Sequence, residues 1–98
     1  MRLYLSGKIT GNENYKADFA DGRAKLEKAG YDVCDPTTFD FPDDVSWIDA
    51  MKHDIREMLL CDGVALFSNW ASSTGARIEA RLAGDLGMTV LPLSLWLK

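Results

Sequence analysis

The 98-residue chain is long enough for one compact domain with a hydrophobic core, and we expect a single domain over residues 1–98. Its 15 acidic and 11 basic residues give a net charge of −4, without the cluster of Lys and Arg that binding to a nucleic-acid polymer requires. The two cysteines and the single histidine have none of the usual ligand spacings, so we expect neither a disulfide framework nor a zinc site.

The chain begins with a predicted strand, a loop and a helix. Residues 3–5 are apolar or aromatic and predict a short strand, while residues 6–11 contain two glycines that favour a loop. From about Asn14 onward, apolar residues recur at helical spacing. Gly30 follows this run, at the position where a residue in the left-handed conformation commonly ends a helix.

The second predicted strand is short, and the second predicted helix is amphipathic. Residues 31–34 favour a strand, which Pro36 ends because proline lacks the donor that a strand ladder needs. A loop is expected through Asp44, and Ser46 is the predicted N-cap of a helix that extends to about Cys61. The side chains expected to be buried on this helix are those of Trp47, Ile48, Met51, Ile55, Met58 and Leu59.

The third predicted strand has the pattern of a central strand in a parallel sheet. Residues 63–67 form an uninterrupted apolar run, as expected of a strand that is covered on both faces. A loop through Ser72 leads into a third helix that ends near Gly87. Residues 88–91 then favour a fourth strand, which Pro92 ends.

Strands and helices alternate along the chain, which predicts an α/β fold of the flavodoxin or Rossmann-like type. Right-handed crossovers give three layers: a parallel sheet of about four strands with helices on both faces. The expected strand order is 2-1-3-4. Such sheets bind ligands beyond the carboxyl ends of their strands, where the strand order reverses. The loops after the first and third strands meet at that point.

A glutamate lies in the apolar stripe of the third predicted helix. At about 100° per residue, Glu79 shares a face with Gly75, Ile78, Leu82 and Leu86. Because a buried carboxylate costs free energy unless it is hydrogen-bonded or paired, its position on this face needs a reason. Two explanations are open: a role inside a cleft, or a helix whose register is shifted so that Glu79 is solvated.

Other polar side chains are expected to converge on the same crevice. The run Ser72-Ser73-Thr74-Gly75 opens the third helix, where free backbone N–H groups and the helix dipole favour an anion, although simple N-capping by Ser72 or Ser73 is an alternative explanation. Tyr4 alternates with its apolar neighbours, so its hydroxyl needs a partner if the ring is buried, and Glu79 is a candidate. Asp54 fits either a helix surface or the site. Among the tryptophans, only Trp70 is assigned to the site.

Three motifs together resemble those of the nucleoside 2-deoxyribosyltransferase-like proteins, a family that includes deoxyribonucleoside 5′-monophosphate N-glycosidases. The first is YLSGKITG at residues 4–11, and the second is Asp54, eight residues before Asp62-Gly63-Val64. The third is Ser73-Thr74-Gly75, which leads to Glu79-Ala80. The resemblance covers nearly the whole chain, and a short uncharacterised branch of the family is the most similar.

This resemblance implies cleavage of an N-glycosidic bond, or transfer of a deoxyribosyl group, through a covalent intermediate on Glu79. Tyr4 would orient that nucleophile, and Asp54 would contact the departing base. No metal or other cofactor is implied. The residues that would bind the sugar, phosphate and base are Ser6, Gly7, Lys8, Ile9, Thr10, Gly11, Trp70, Ser73 and Gly75.

Two departures from the family pattern bear on the substrate. Transferases that act on free nucleosides usually carry an aspartate six residues before the nucleophile, whereas this chain has Ser73, as the monophosphate hydrolases do. Since an aspartate would repel a 5′-phosphate, Ser73 favours a nucleotide substrate. Against this, Lys8 and Thr10 stand where those hydrolases usually have serine and arginine.

The expected partner is therefore a small deoxynucleoside or deoxynucleotide, and neither a nucleic-acid polymer nor a membrane. We expect a cytoplasmic homodimer or higher homo-oligomer in which a second subunit closes the site. Two alternative functions are open. One is a non-catalytic nucleotide-binding module of the same fold, since a fold does not establish an activity. The other is an NAD glycohydrolase like the TIR-type domains, suggested by residues 70–73 together with Glu79.

Overall fold

The computed structural model describes residues 1–98, in which strands and helices alternate. The strands are β1 (Arg2–Ser6), β2 (Asp32–Cys34), β3 (Gly63–Leu66) and β4 (Thr89–Pro92). The helices are α1 (Tyr15–Lys28), α2 (Trp47–Leu59), α3 (Thr74–Asp85) and α4 (Leu93–Trp96). Two short 3-10 helices span Pro36–Thr38 and Trp70–Ser72. The predicted alternation is confirmed, and α4 is an addition that the sequence patterns did not indicate.

The four strands form one parallel sheet in the order β2-β1-β3-β4. The predicted fold class and strand order are thus confirmed. The two central strands are in a register that pairs Tyr4 with Val64 and Ser6 with Leu66. The strand order reverses between β1 and β3, so their carboxyl ends border the crevice in which sheets of this type bind ligands.

An apolar layer covers each face of the sheet. On one face, Met58 of α2 and Ala83 of α3 pack in a cluster with Tyr4. On the other face, α1 and α4 pack against Leu3 and Leu5. Because successive side chains of a strand point to opposite faces, Ser6 lies on the same face as Tyr4. Both hydroxyl side chains are therefore directed towards the α2 and α3 layer.

Local capping signals fix the ends of the main helices. The Ser46 hydroxyl accepts a hydrogen bond from the Asp49 amide at 3.1 Å and begins α2, as predicted. The Ser73 hydroxyl accepts one from the Ala76 amide at 3.2 Å and begins α3. Beyond α1, Gly30 has a φ of 99°, which residues with a side chain adopt only at a cost.

The buried face of α2 is narrower than predicted. Met51 and Met58 are buried, as expected, but Trp47, Ile48 and Leu59 are 50%, 55% and 46% exposed. The prediction of burial was wrong at these three positions. The physical reason is that hydrophobic periodicity identifies an apolar stripe without showing how much of it the sheet covers.

The buried face of α3 is centred on small residues. Ala76, Glu79 and Ala83 are buried, whereas Ile78 and Leu86 are 40% and 59% exposed. The expected inward position of Glu79 is confirmed, but two of its four predicted companions, Ile78 and Leu86, lie on the surface. Small side chains allow a helix to lie close to a sheet, and this close approach brings Glu79 within reach of β1.

The short helix α4 anchors the C-terminal residues to the sheet. Trp96 is buried, and its Nε1 donates a hydrogen bond to the carbonyl of Val64 at 3.0 Å. The Tyr31 hydroxyl donates to the carbonyl of Trp96 at 3.0 Å. No helix of the protein has the length and apolar character needed to cross a bilayer.

Candidate functional site

A cavity of about 690 Å³ opens at the carboxyl edge of the sheet. Its walls come from the end of β1 and the following loop, from the segment between β2 and α2, from α2 itself, and from the start of α3. This volume is typical of sites for small organic ligands. The cavity lies where the strand order reverses, which is the position expected for a ligand in this fold.

The structure brings most of the predicted site residues to this cavity. Those that line it are Tyr4, Gly7, Ile9, Thr10, Asp54, Ser73, Gly75 and Glu79. Ser6, Lys8, Gly11 and Trp70 do not line it. Trp70 instead borders a second, smaller cavity of about 300 Å³. Its placement gives no support to the predicted substrate contact.

Glu79 is buried, with 5% of its surface exposed, and both of its carboxylate oxygens accept hydrogen bonds. The Tyr4 hydroxyl donates to Oε2 at 2.6 Å, and the Ser6 hydroxyl donates to Oε1 at 2.8 Å. The expected Tyr4 contact is thus present, and Ser6 adds a second donor that was not predicted. These charge-assisted hydrogen bonds offset part of the cost of burying a carboxylate. A solvated Glu79 on a shifted helix is excluded.

The protonation of the Glu79 carboxyl group is set mainly by its burial. Burial raises the pKa of Glu79 to about 7; the hydrogen bonds from Tyr4 and Ser6 act in the lowering direction, and the charge of Asp54 adds to the rise. Burial, followed by the neighbouring Glu79, raises the pKa of Tyr4 far above its ordinary value. The phenol therefore stays protonated and acts as a permanent donor to the carboxylate.

Asp54 presents a second carboxyl group to the cavity. Its Oδ1 is buried and has no hydrogen-bond partner within the protein. Burial raises the pKa of Asp54 to about 6, against a lowering effect of His53. A buried acceptor without a partner is costly, which makes this oxygen a natural partner for a donor on a ligand. A carboxyl group with this pKa can also exchange a proton near neutral pH.

The start of α3 forms a polar rim of the cavity. The rim consists of Ser72, Ser73, Thr74 and Gly75. Amides in the first turn of a helix have no intrahelical acceptor, so this rim offers donors to an anion. The Ser73 hydroxyl caps the helix as an acceptor, and its proton is still available to a ligand because a hydroxyl both donates and accepts. Capping and ligand binding are compatible here.

The loop after β1 is held in place by two asparagine side chains. Asn69 Oδ1 accepts a hydrogen bond from the backbone amide of Lys8 at 3.1 Å, and Asn12 Nδ2 donates to the Lys8 carbonyl at 3.0 Å. Gly7 is needed for close packing, because a Cβ there would lie 2.6 Å from a ring carbon of Phe67. The backbone of Lys8 is thus committed to the protein rather than to a ligand.

Sequence reasoning missed an aromatic part of the cavity wall. Phe39 and Phe41 line the cavity, and their rings pack edge to face with centroids 6.2 Å apart. His53 packs edge-on against both rings, at 4.7 and 5.2 Å, rather than pairing with its neighbour Asp54. Trp47 also lines the cavity, although the sequence had assigned it to the core. Two aromatic residues in a segment without helical or strand periodicity were the available signal.

Neither metal ligation nor a disulfide is a feature of this site. No three His, Cys, Asp or Glu side chains are grouped so that they could hold a metal ion. Cys34 and Cys61 are buried free thiols. The groups available for chemistry are therefore the carboxyls of Glu79 and Asp54, the two hydroxyls on β1, and the rim of α3.

Two solved 2-deoxyribosyltransferases have a similar fold. The enzyme from the psychrotolerant bacterium Bacillus psychrosaccharolyticus aligns over 92% of this chain with a TM-score of 0.72 and 20% identity. The enzyme from Leishmania mexicana aligns over 93% of the chain with a TM-score of 0.69 and 18% identity. At these identities the similarity shows a shared fold.

A third solved structure is the CMP N-glycosidase BcmB of Clostridium botulinum. It aligns over 92% of this chain with a TM-score of 0.57 and 26% identity. The aligned region spans 69%, 62% and 68% of the three proteins in the order given, so each of them has a part that this chain does not match. The predicted resemblance to nucleoside 2-deoxyribosyltransferase-like proteins is confirmed.

Sequence comparison assigns the chain to a family. No curated protein matches the chain. The profile of the family described as "Domain of unknown function (DUF4406)" matches residues 1–92, which is nearly the whole chain. The chain therefore belongs to the DUF4406 family, and it has the fold of the nucleoside 2-deoxyribosyltransferase-like proteins.

Proposed function

We propose that this protein cleaves the N-glycosidic bond of a deoxyribonucleoside or its 5′-monophosphate through a covalent intermediate on Glu79. The observation that carries the proposal is a buried carboxylate, held by Tyr4 and Ser6, in the wall of a cavity of small-molecule size. The fold similarity to two 2-deoxyribosyltransferases and a CMP N-glycosidase supports the same reaction class.

In the first half-reaction, a carboxylate oxygen of Glu79 attacks C1′ of the sugar. The C1′–N bond breaks, and its electron pair stays with the base nitrogen. Asp54 donates a proton to the departing base, since it faces the same cavity and its pKa of about 6 leaves part of the population protonated. The sugar is then bound to Glu79 as an ester.

In the second half-reaction, water or a second base attacks C1′ from the opposite side. The bond between C1′ and Glu79 breaks, and its electron pair returns to the carboxylate. When water is the nucleophile, its proton passes to Asp54, which lost its own proton in the first step. Two inversions at C1′ give net retention of configuration. Water as the acceptor makes the protein a hydrolase, and a base makes it a transferase.

The cavity offers distinct surroundings for each part of a nucleotide. The amides at the start of α3, with the Ser73 hydroxyl, suit a 5′-phosphate. Phe39 and Phe41 offer apolar aromatic surface to the base, and the unpaired oxygen of Asp54 can accept a hydrogen bond from it. We assign the sugar to the space between these two regions, next to Glu79.

We further assign the active form to a homodimer or higher homo-oligomer. Ile48 and Leu59 of α2, and Ile78 and Leu86 of α3, are large apolar side chains on adjacent helices, and all are at least 40% exposed. Exposed apolar surface of this kind is typical of a subunit interface. Trp47 lies beside this surface and also lines the cavity, so a second subunit on α2 would partly cover the entrance.

The activity is tested by incubating the protein with deoxynucleosides, their 5′-monophosphates and NAD, with and without an acceptor base. Release of free base is followed by chromatography for the wild type, Glu79→Ala and the control Glu13→Ala, whose side chain is exposed outside the cavity. We expect the wild type and the control to release base from a deoxynucleotide, and Glu79→Ala to release none.

Each other outcome has a defined meaning. Full activity of Glu79→Ala would rule out the covalent mechanism. Cleavage of NAD alone would favour the TIR-like glycohydrolase. If no compound loses its base but one of them raises the melting temperature, the protein is a nucleotide-binding module.

A further inference from the structure

Ser6 is placed where it can serve Glu79 but not a substrate. It is 1% exposed and does not line the cavity, although the sequence resemblance had assigned it to substrate binding. Its only hydroxyl proton is given to Oε1 of Glu79 at 2.8 Å. A hydroxyl has a single proton, so it cannot donate to a substrate at the same time.

The backbone around Ser6 is fixed by the sheet. Ser6 pairs with Leu66 of the neighbouring central strand, and its carbonyl accepts a hydrogen bond from the Phe67 amide at 2.9 Å. Tyr4, two residues earlier on the same face, donates to the other oxygen of Glu79. Two donors on two oxygens hold the plane of the carboxylate in one orientation, which a single donor would leave free to rotate.

The two half-reactions change the charge that Ser6 contacts. In the first, the carboxylate of Glu79 becomes a neutral ester as its oxygen bonds to C1′. In the second, the C1′–O bond breaks and the electron pair returns to the carboxylate. Hydrogen bonds to a charged group are about twice as strong as those to a neutral one. The bond from Ser6 therefore weakens during attack and strengthens during release.

We propose that Ser6 is a positioning residue that assists the release of the sugar from Glu79, and this role rests on the proposed function. The hydroxyl stabilises the returning negative charge on Oε1 and holds the carboxylate for the next attack. Loss of the Ser6 hydroxyl should therefore slow release more than attack. The rate of release should fall by about 10- to 100-fold more than the rate of attack, which is the range expected for the loss of one hydrogen bond to a charged group.

The first test does not depend on any substrate. The carboxyl carbon of Glu79 is titrated by NMR in protein with labelled glutamate, and the signal is assigned with Glu79→Gln. We expect Ser6→Ala to raise the pKa of Glu79 above that of the wild type, and Ser6→Cys, a weaker donor of similar shape, to give an intermediate value. Ser68→Ala, an exposed serine outside the large cavity, should leave it unchanged.

An unchanged pKa of Glu79 in folded Ser6→Ala would overturn the proposal. If Ser6→Ala does not fold, Ser6→Cys decides by the same criterion. Because no turnover is needed, a protein that cleaves no nucleoside or nucleotide would refute the proposed function while the titration still shows whether Ser6 stabilises the carboxylate.

The second test measures the covalent intermediate. A deoxynucleotide that the wild type cleaves is mixed with each variant, quenched with acid in the steady state, and the intact protein mass is measured. We expect a larger fraction of sugar-bound protein in Ser6→Ala than in the wild type and Ser68→Ala. An equal or smaller fraction would contradict a role of Ser6 in release.

Discussion

Tyr4 and Glu79 are 75 residues apart in the sequence, yet a hydrogen bond of 2.6 Å joins the phenol oxygen of Tyr4 to Oε2 of Glu79. The contact links a central strand of the sheet to the first half of α3. A carboxylate held in this way is preorganised for chemistry at one position in the cavity.

Replacement of Tyr4 by Phe is expected to lower the turnover rate by about 10- to 100-fold, because it removes one hydrogen bond to a charged group. Steady-state kinetics with a cleavable deoxynucleotide measures this change. Tyr31→Phe is the matched control. It removes a hydrogen bond to the Trp96 carbonyl outside the site, so it should cost about 1 kcal/mol of stability but leave the turnover rate unchanged. Equal losses of turnover in both variants would contradict the assigned role of Tyr4.

Glu79→Gln is expected to stabilise the protein at alkaline pH. Burial raises the pKa of Glu79 from its ordinary 4.5 to about 7, so between these values the folded state binds a proton that the unfolded state has lost. The wild type therefore loses stability as the pH rises through this window, and the loss is complete above it. Across the whole window, the free energy of unfolding of the wild type falls by about 3 kcal/mol.

This pH dependence is measured by urea unfolding of the wild type and Glu79→Gln at pH 4, 6 and 8. The variant should gain stability relative to the wild type as the pH rises above 4.5, and this gain should be small below pH 4.5. Glu13→Gln, at an exposed position, should show no such trend. A constant difference between the wild type and Glu79→Gln across the range would show that the folded-state pKa of Glu79 is not raised.

The dependence of kcat/KM on pH is expected to be a bell with its maximum between about pH 6 and 7. The proposed mechanism needs an ionised Glu79, whose pKa is about 7, and a protonated Asp54, whose pKa is about 6. Because the two groups interact, the measured values belong to the pair. Asp54→Asn should remove the alkaline limb and lower the rate by about 10²- to 10⁴-fold, with a smaller loss for a base that leaves easily. An unchanged alkaline limb would exclude Asp54 as the acid.

The sequence predicted the order of the elements and the strand order because local signals mark them strongly. Gly30 and Pro36, for example, stand at boundaries that the structure confirms. The hydrogen bond between Ser6 and Glu79 was not predictable, because it depends on how closely α3 approaches the sheet. The sequence patterns had assigned Ser6 to the loop after a strand at residues 3–5, whereas β1 extends through Ser6, and tertiary packing brings its hydroxyl to 2.8 Å from Oε1.

The wall formed by Phe39 and Phe41 was missed for a different reason. The segment between β2 and α2 has neither helical nor strand periodicity, so its sequence does not indicate which side chains turn towards the cavity. The exposure of apolar side chains on α2 and α3 was not predicted for a related reason. An apolar stripe that faces a second subunit has the same periodicity as one that faces the core of its own chain.

Gly7→Ala is expected to destabilise the protein and disturb the loop after β1. The added Cβ would lie 2.6 Å from a ring carbon of Phe67, a contact that requires the ring or the backbone to move. Overpacking of this kind costs about 1–3 kcal/mol. Gly84→Ala in α3 is the control, since the added Cβ would have no atom within 4 Å beyond its chain neighbours and the backbone of its own helix, and it should stabilise the helix by about 0.5–1 kcal/mol. Chemical unfolding measures both changes, and equal effects would refute the packing argument.

The apolar surface on α2 and α3 is expected to form a subunit interface. If Ile78 and Leu86 lie in a subunit interface, Ile78→Asp should produce monomers, because burying an unpaired carboxylate there opposes association. Sedimentation of the wild type and the variant tests this. Lys16→Asp is the control. Lys16 is an exposed residue of α1, which packs on the other face of the sheet, so this variant should leave the oligomer intact. A wild type that sediments as a monomer and is fully active would show that no second subunit is needed to complete the site.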